Sequence, residues 1–269
     1  MSSPIHVQKL LNGTILKISL ASGPVNALSR PLVAAVKNEF VSANAKGSGV
    51  KGILLSSALP KVFSAGLDLS ELQLSLFPTN TKASVQSYIS SFQDLVLTIA
   101  GSKVPTAAVV HGACPAGGTV LAMCTDYKVA ASNQIGKFSM GLNETKVGLG
   151  PPQWLHSLAR LNLNNLRTSD RLIQLGYLCS TPEEALSHGF LDTVLPNPTT
   201  PEQLEAHAIQ QLNLLAEVPW GARVTSKLGA RKELLSLLEN GNTDEMVECI
   251  TGEEFQAVTG ALMASLKKK

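Results

Sequence analysis

Up to residue 196 the chain alternates between two apolar rhythms, and beyond it only one remains. From Ile5 to Leu20 apolar and polar positions alternate closely enough to predict a β-hairpin, with its turn at Asn12-Gly13. Gly23-Pro24-Val25-Asn26 breaks that pattern. Ser29 then stands as the N-cap of a helix from Arg30 to about Ala45, with Pro31 tolerated in its first turn and Gly47 and Gly49 as the stop. Short apolar runs at Ile53 to Ser56, Thr106 to Val110 and Tyr127 to Ala131 read as buried strands. The stretch Thr81 to Ala100 has helical spacing, so strand and helix alternate as in an α/β protein.

Farther on, Leu155 to Leu161 and Asp170 to Leu175 read as helices. Thr181-Pro182-Glu183-Glu184 is a capping box with proline at the first helical position, Gly189 ends that helix, and Phe190 to Leu195 is the last strand. Pro196-Asn197-Pro198-Thr199-Thr200-Pro201 can continue neither helix nor sheet and reads as a linker. Three helical patterns follow it, at Glu202 to Ala216, Gly221 to Leu238 and Asp244 to Leu266. The expected organisation is an α/β core over 1–196 and a helical C-terminal unit over 197–269.

Composition narrows the class. The 269 residues are 44% hydrophobic and 16% charged, which fits a large buried core and argues against disorder. A net charge of +2 is too small to favour nucleic acid or a membrane surface by bulk electrostatics. No apolar run is long enough to span a bilayer. The Lys267-Lys268-Lys269 end reads as a solvated tail. Cys114, Cys124, Cys179 and Cys249 are widely spaced and read as reduced thiols. None of the five histidines shows ligand spacing such as H-E-x-x-H, so no metal site is expected. P-loop, G-x-G-x-x-G and G-x-S-x-G patterns are missing as well.

Two small-residue turns leave the ends of apolar strands: Phe63-Ser64-Ala65-Gly66-Leu67-Asp68-Leu69 and Gly112-Ala113-Cys114-Pro115-Ala116-Gly117-Gly118. Strand, tight turn and helix start together aim free backbone N–H groups into a cleft, where two such turns side by side could grip one negatively charged oxygen. Glu144, in Gly141-Leu142-Asn143-Glu144-Thr145, has apolar flanks that would lift its carboxyl pKa toward working pH. Asp68 reads as a helix cap and Asp126 as a structural, hydrogen-bonded carboxylate.

Ser64-Ala65-Gly66-Leu67-Asp68, Ala116-Gly117-Gly118 and Leu142-Asn143-Glu144-Thr145 resemble the motifs of the crotonase superfamily, and within it those of the Δ3,Δ2-enoyl-CoA isomerases. The resemblance runs from about Gly13 to about Pro196 and implies a crotonase-like ββα spiral core. It implies an oxyanion hole formed by the N–H groups of Ala65 and Gly117, and Glu144 as the catalytic acid/base. Ser64, Gly66, Leu67, Asp68, Leu69, Asn143 and Trp154 are the expected substrate-binding residues, with Asn143 either orienting Glu144 or a water or capping a turn. Lys227, Arg231 and Lys232 are candidates for the coenzyme A phosphates, with a solvated helix face as the other reading. The chain departs from the hydratases of the superfamily, which carry a second glutamate where it has Val120.

The expected activity is therefore isomerisation of an acyl-CoA thioester by one carboxylate, with no cofactor. Another crotonase-type enzyme (hydratase or thioesterase) and a non-catalytic binding protein on the same fold stay as alternatives. Resemblance further implies a homotrimer, without nucleic acid or membrane span. The start is not signal-like and the end is not Ser-Lys-Leu. The expected compartment is thus the mitochondrial matrix, for a mature form, rather than the peroxisome.

Overall fold

The computed structural model describes residues 3–241 and 243–266; the three terminal lysines lie outside the described residues. The strands are β1 (Ile5–Leu10), β2 (Ile15–Leu20), β3 (Gly52–Ser57), β4 (Thr106–Val109), β5 (Ala113–Pro115), β6 (Tyr127–Ala131), β7 (Ser139–Gly141) and β8 (Thr193–Leu195). The helices are α1 (Arg30–Asn44), α2 (Leu69–Leu72), α3 (Lys82–Ala100), α4 (Gly117–Met123), α5 (Gln153–Asn162) and α6 (Leu166–Gln174), then α7 (Pro182–His188). After the proline-rich segment come α8 (Pro201–Glu217), α9 (Trp220–Ala230), α10 (Lys232–Asn240), α11 (Asp244–Thr251) and α12 (Glu253–Leu266).

The main sheet has the order β1-β2-β3-β4-β6-β8, parallel except for the hairpin β1–β2, and β5 and β7 form a second, two-stranded sheet. A parallel sheet must be covered on both faces, which is why its strands read as continuous apolar runs. Alternate residues divide cleanly between the faces. Ile53, Leu55, Ala108 and Ala130 pack with Val36 and Phe40 of α1 and Val96 and Ile99 of α3. Leu54, Ala107, Val109 and Val129 pack with Leu204, Ala208 and Leu212 of α8. The helix that follows the linker therefore closes the second face of the sheet, and Leu234 and Leu238 of α10 join the main core.

Several boundaries differ from expectation. Ser29 occupies the N-cap of α1, but its hydroxyl makes no capping bond. The last strand is reduced to Thr193–Leu195, because Phe190 and Leu191 turn into the main core. The three expected C-terminal helices are five. Gly252 takes an extended conformation between α11 and α12, and Arg231 interrupts the second pattern between α9 and α10.

At that break the Arg231 guanidinium donates to the carbonyls of Ala100, Cys124 and Thr125 and to Asp126 Oδ1 at 3.0 Å. Lys227 Nζ donates to Asp126 Oδ2 at 2.8 Å, and burial lowers its pKa to about 8. Both cations are engaged in tying α9 to the sheet, so neither is free for the coenzyme A phosphates; Lys232 is exposed. Asp126 is structural, as expected, and also accepts from the Thr106 N–H. Removing one member of such a buried set strands the others. Asp126→Ala should cost about 3–5 kcal/mol in urea denaturation, and a loss below about 1 kcal/mol would show that the cluster relaxes into solvent.

Candidate active site

Because β3 and β4 are hydrogen-bonded neighbours, the turns leaving their carboxyl ends lie side by side. The first turn is braced from outside. Asn26 Nδ2 donates to Phe63 O at 2.9 Å, Ser64 Oγ donates to Asn26 O at 2.8 Å, and the Tyr88 hydroxyl accepts from Asp68 N at 2.9 Å. Gly66 has φ +87, a left-handed conformation that disfavours other residues, and a β-carbon there would press to 3.1 Å from Gly117 N.

The N–H groups of this turn have distinct fates. Ala65 N–H, the expected oxyanion donor, instead donates to Val25 O at 3.0 Å and is used up in holding the loop at 23–26. Leu67 N–H has no hydrogen-bond partner among the described residues. Gly117 N–H, the first of α4, has no intrahelical partner, as helix geometry requires of a first residue, and none elsewhere among the described residues. The two amides are close: a β-carbon added to Gly117 would lie 3.3 Å from Leu67 N. The pair that can hold one oxygen is thus Leu67 with Gly117, two residues along from the sequence-based assignment. The missed signal is the glycine itself, since a left-handed residue turns the following amide away from the local hydrogen-bonding pattern.

The small sheet places the carboxylate. Cys114 of β5 pairs with Met140 of β7, Ala116 N donates to Gly141 O at 2.9 Å, and Gly141 N donates to Thr119 Oγ1 at 2.9 Å. These bonds lock the second turn to the strand that leads into Glu144. Glu144 opens a short 3-10 turn (Glu144–Val147), which Thr145 Oγ1 ties to Ile173 O at 2.9 Å. Ala116, which precedes Gly117, has φ +48, a non-glycine residue in a strained region beside the site.

Glu144 is 9% exposed, its Oε2 has no hydrogen-bond partner among the described residues, and burial raises its pKa from 4.5 to about 7. A carboxyl with a raised folded pKa contributes its full stability below the unfolded value and loses it as pH climbs through about 7. Glu144→Gln cannot ionise. It should therefore exceed the parent in stability above pH 8, by up to roughly 3 kcal/mol at 1.36 kcal/mol per pKa unit. The difference should vanish near pH 4. Urea titrations at both pH values check this, and equal stability at pH 8 would contradict it.

Ala65, Leu67, Leu69, Gly117, Asn143, Glu144 and Trp154 line one cleft, so seven of the ten expected site residues come together. Ser64, Gly66 and Asp68 stand behind it. Ser64 is fully buried with its hydroxyl bonded to Asn26 O, Gly66 shapes the turn, and Asp68 caps α2 through Ser70 N at 3.0 Å. Asn143 stands at the N-cap of the 3-10 turn, but its side chain makes no capping bond; its Oδ1 is buried without a partner among the described residues, as is Trp154 Nε1. The rest of the wall is apolar and includes Phe92, Val120 and Leu149, with Met246 and Phe255 contributed by α11 and α12. Leu72 and Leu155 line the cleft as well. Among the described lining residues, Glu144 is the sole ionisable side chain.

Fold and cleft together define a class. The family model described as enoyl-CoA hydratase/isomerase matches residues 11–248, and the chain belongs to this family, that of the crotonases. Its relatives narrow the comparison. The chain is 31% identical over 252 residues to enoyl-CoA delta isomerase 1, mitochondrial, of Homo sapiens, covering 91% of this chain and 78% of that one. The Mus musculus protein of the same name is 33% identical over 258 residues, covering 94% and 83%. The crystal structure of human mitochondrial delta3-delta2-enoyl-CoA isomerase superposes with a TM-score of 0.88 at 29% identity over 98% of both chains. An enoyl-CoA hydratase from Bacillus halodurans superposes at 0.79 with 22% identity over 96% of this chain and all of that one, a likeness of fold alone.

Proposed function

We propose that the chain is a Δ3,Δ2-enoyl-CoA isomerase, moving the double bond of a 3-enoyl-CoA to the 2-trans position in β-oxidation of unsaturated fatty acids. The observation that carries this reading is one buried carboxylate in an apolar cleft that also holds two unpaired backbone N–H groups. The thioester carbonyl accepts from Leu67 N–H and Gly117 N–H, which stabilises negative charge as it develops on that oxygen; each such donor is worth about 3 kcal/mol in the transition state. Glu144, with a pKa of about 7, takes the C2 proton. Charge delocalises through the dienolate to C4, and the same carboxyl returns a proton there, so no proton or electron is gained or lost overall.

Hydration of a 2-enoyl-CoA needs a water fixed and polarised against C3, and Val120, 1% exposed in the cleft wall, offers it no hydrogen bond. The scheme uses no metal, flavin or nicotinamide, and coenzyme A enters as part of the substrate. The relatives are named as mitochondrial enzymes, which supports a mitochondrial location, and the family resemblance supports a homotrimer. Incubation with a 3-enoyl-CoA should produce conjugated thioester, followed by its absorbance. Absence of that product with a folded protein would refute the reading.

A further inference from the structure

Outside the cleft, three side chains with no part in the proposed reaction converge behind the catalytic loop. Cys179 Sγ, a carboxylate oxygen of Glu184 and a ring nitrogen of His188 all lie within 4.8 Å of one another. Glu184 and His188 are four residues apart on α7, so their side chains leave the same face of that helix. Cys179 comes from the segment before it, fixed by paired bonds to β7: Cys179 N donates to Met140 O at 2.8 Å and Met140 N to Cys179 O at 3.1 Å. The Glu184 carboxylate does not close the expected capping box. It accepts instead from the Tyr177 hydroxyl, from Ser180 N at 2.7 Å and from Ser180 Oγ at 3.2 Å. The His188 ring packs edge-on against Tyr177 at 6.2 Å, and neither of its nitrogens has a hydrogen bond among the described residues.

We propose that Cys179, Glu184 and His188 form a binding site for a thiophilic divalent cation of the zinc class. A sulfur, an imidazole and a carboxylate suit zinc and disfavour calcium or magnesium, and three protein ligands leave a fourth position for water. Ligand atoms on one zinc stand about 2.0–2.3 Å from it, so small rotations of the half-buried Glu184 and His188 close the present spacing. On binding, the Cys179 thiol proton leaves to solvent. The bonds of Tyr177 and Ser180 to Glu184 hold a ligand in place from behind, as metal ligands require. Met140 lies four residues before Glu144, so the ion would clamp α7 to the strand that carries the catalytic loop. The spacing Cys-x4-Glu-x3-His, with one ligand outside the helix, matches no H-E-x-x-H pattern and so does not show in the sequence.

The test uses the full chain, stripped of metal and titrated with Zn²⁺ against a chromogenic chelator, and in parallel with Co²⁺ as a spectroscopic probe. One equivalent of Zn²⁺ per chain is expected, with a higher Tm and a thiolate-to-cobalt absorption band. His188→Gln should weaken binding by at least about tenfold. Cys179→Ala should abolish the band, while Cys249→Ser, at the partly exposed cysteine, should leave it unchanged. His188→Gln replaces a half-buried residue at a helix end and keeps the test valid if the buried Cys179→Ala fails to fold. Binding that survives His188→Gln with unchanged affinity, or no stoichiometric Zn²⁺ at micromolar concentration, would overturn the proposal.

Discussion

Glu144→Gln is expected to bind acyl-CoA as the parent does and to lose isomerisation by about 10²–10⁴-fold or more, the usual contribution of a positioned base. The glutamine is nearly isosteric with glutamate, so the apolar wall around it stays filled. What is lost is the proton acceptor, and no other ionisable side chain among the described lining residues can replace it. The parent itself should show kcat/KM rising with pH toward a plateau above about 7, because the carboxyl must be ionised to accept the C2 proton. The profile should disappear in the variant. Steady-state kinetics on a 3-enoyl-CoA, with binding measured separately, decide the point. Turnover within a few-fold of the parent would remove Glu144 from the mechanism.

Gly117→Val should abolish turnover by a different route. A β-carbon at this position would lie 3.2 Å from Leu28 Cδ1 and 3.3 Å from both Gly66 Cα and Leu67 N. The valine methyl groups then crowd the space in which the thioester oxygen must sit between the two amides. Losing a single donor of this kind costs about 10²–10³ in kcat, and here neither amide can be approached. Overpacking should add about 1–3 kcal/mol of destabilisation, so the variant is compared at a temperature where circular dichroism shows it folded. Near-parental turnover in the folded variant, or a bound acyl-CoA whose carbonyl oxygen lies away from Leu67 N and Gly117 N, would contradict the assignment.

The elements most legible in the sequence are those whose burial is set locally. β3, β4 and β6 are covered on both faces and read as apolar runs, whereas Glu144 resembles a solvated loop carboxylate apart from its apolar neighbours and the family resemblance of its motif. The remainder depends on partners distant in sequence. Ala65 has the smaller side chain, yet its N–H is claimed by Val25 O some forty residues earlier, which leaves Leu67 as the free donor. Lys227 and Arg231 look like a solvated basic face until Asp126, about a hundred residues away, is found between them. The strands β5 and β7 have three residues each and contain Pro115 and Gly141, so periodicity cannot show them. Their role in joining the second turn to Glu144 is visible only in three dimensions.

The expectation is that a cleft with one carboxylate among its described residues makes the chain an isomerase and a poor hydratase. It is tested most directly by assaying the unmodified protein side by side on a 3-enoyl-CoA and a 2-enoyl-CoA of equal chain length. Rapid formation of the conjugated thioester from the first is expected, with hydration of the second weaker by several orders of magnitude, because Val120 leaves the attacking water unheld. Comparable rates on the two substrates would contradict it.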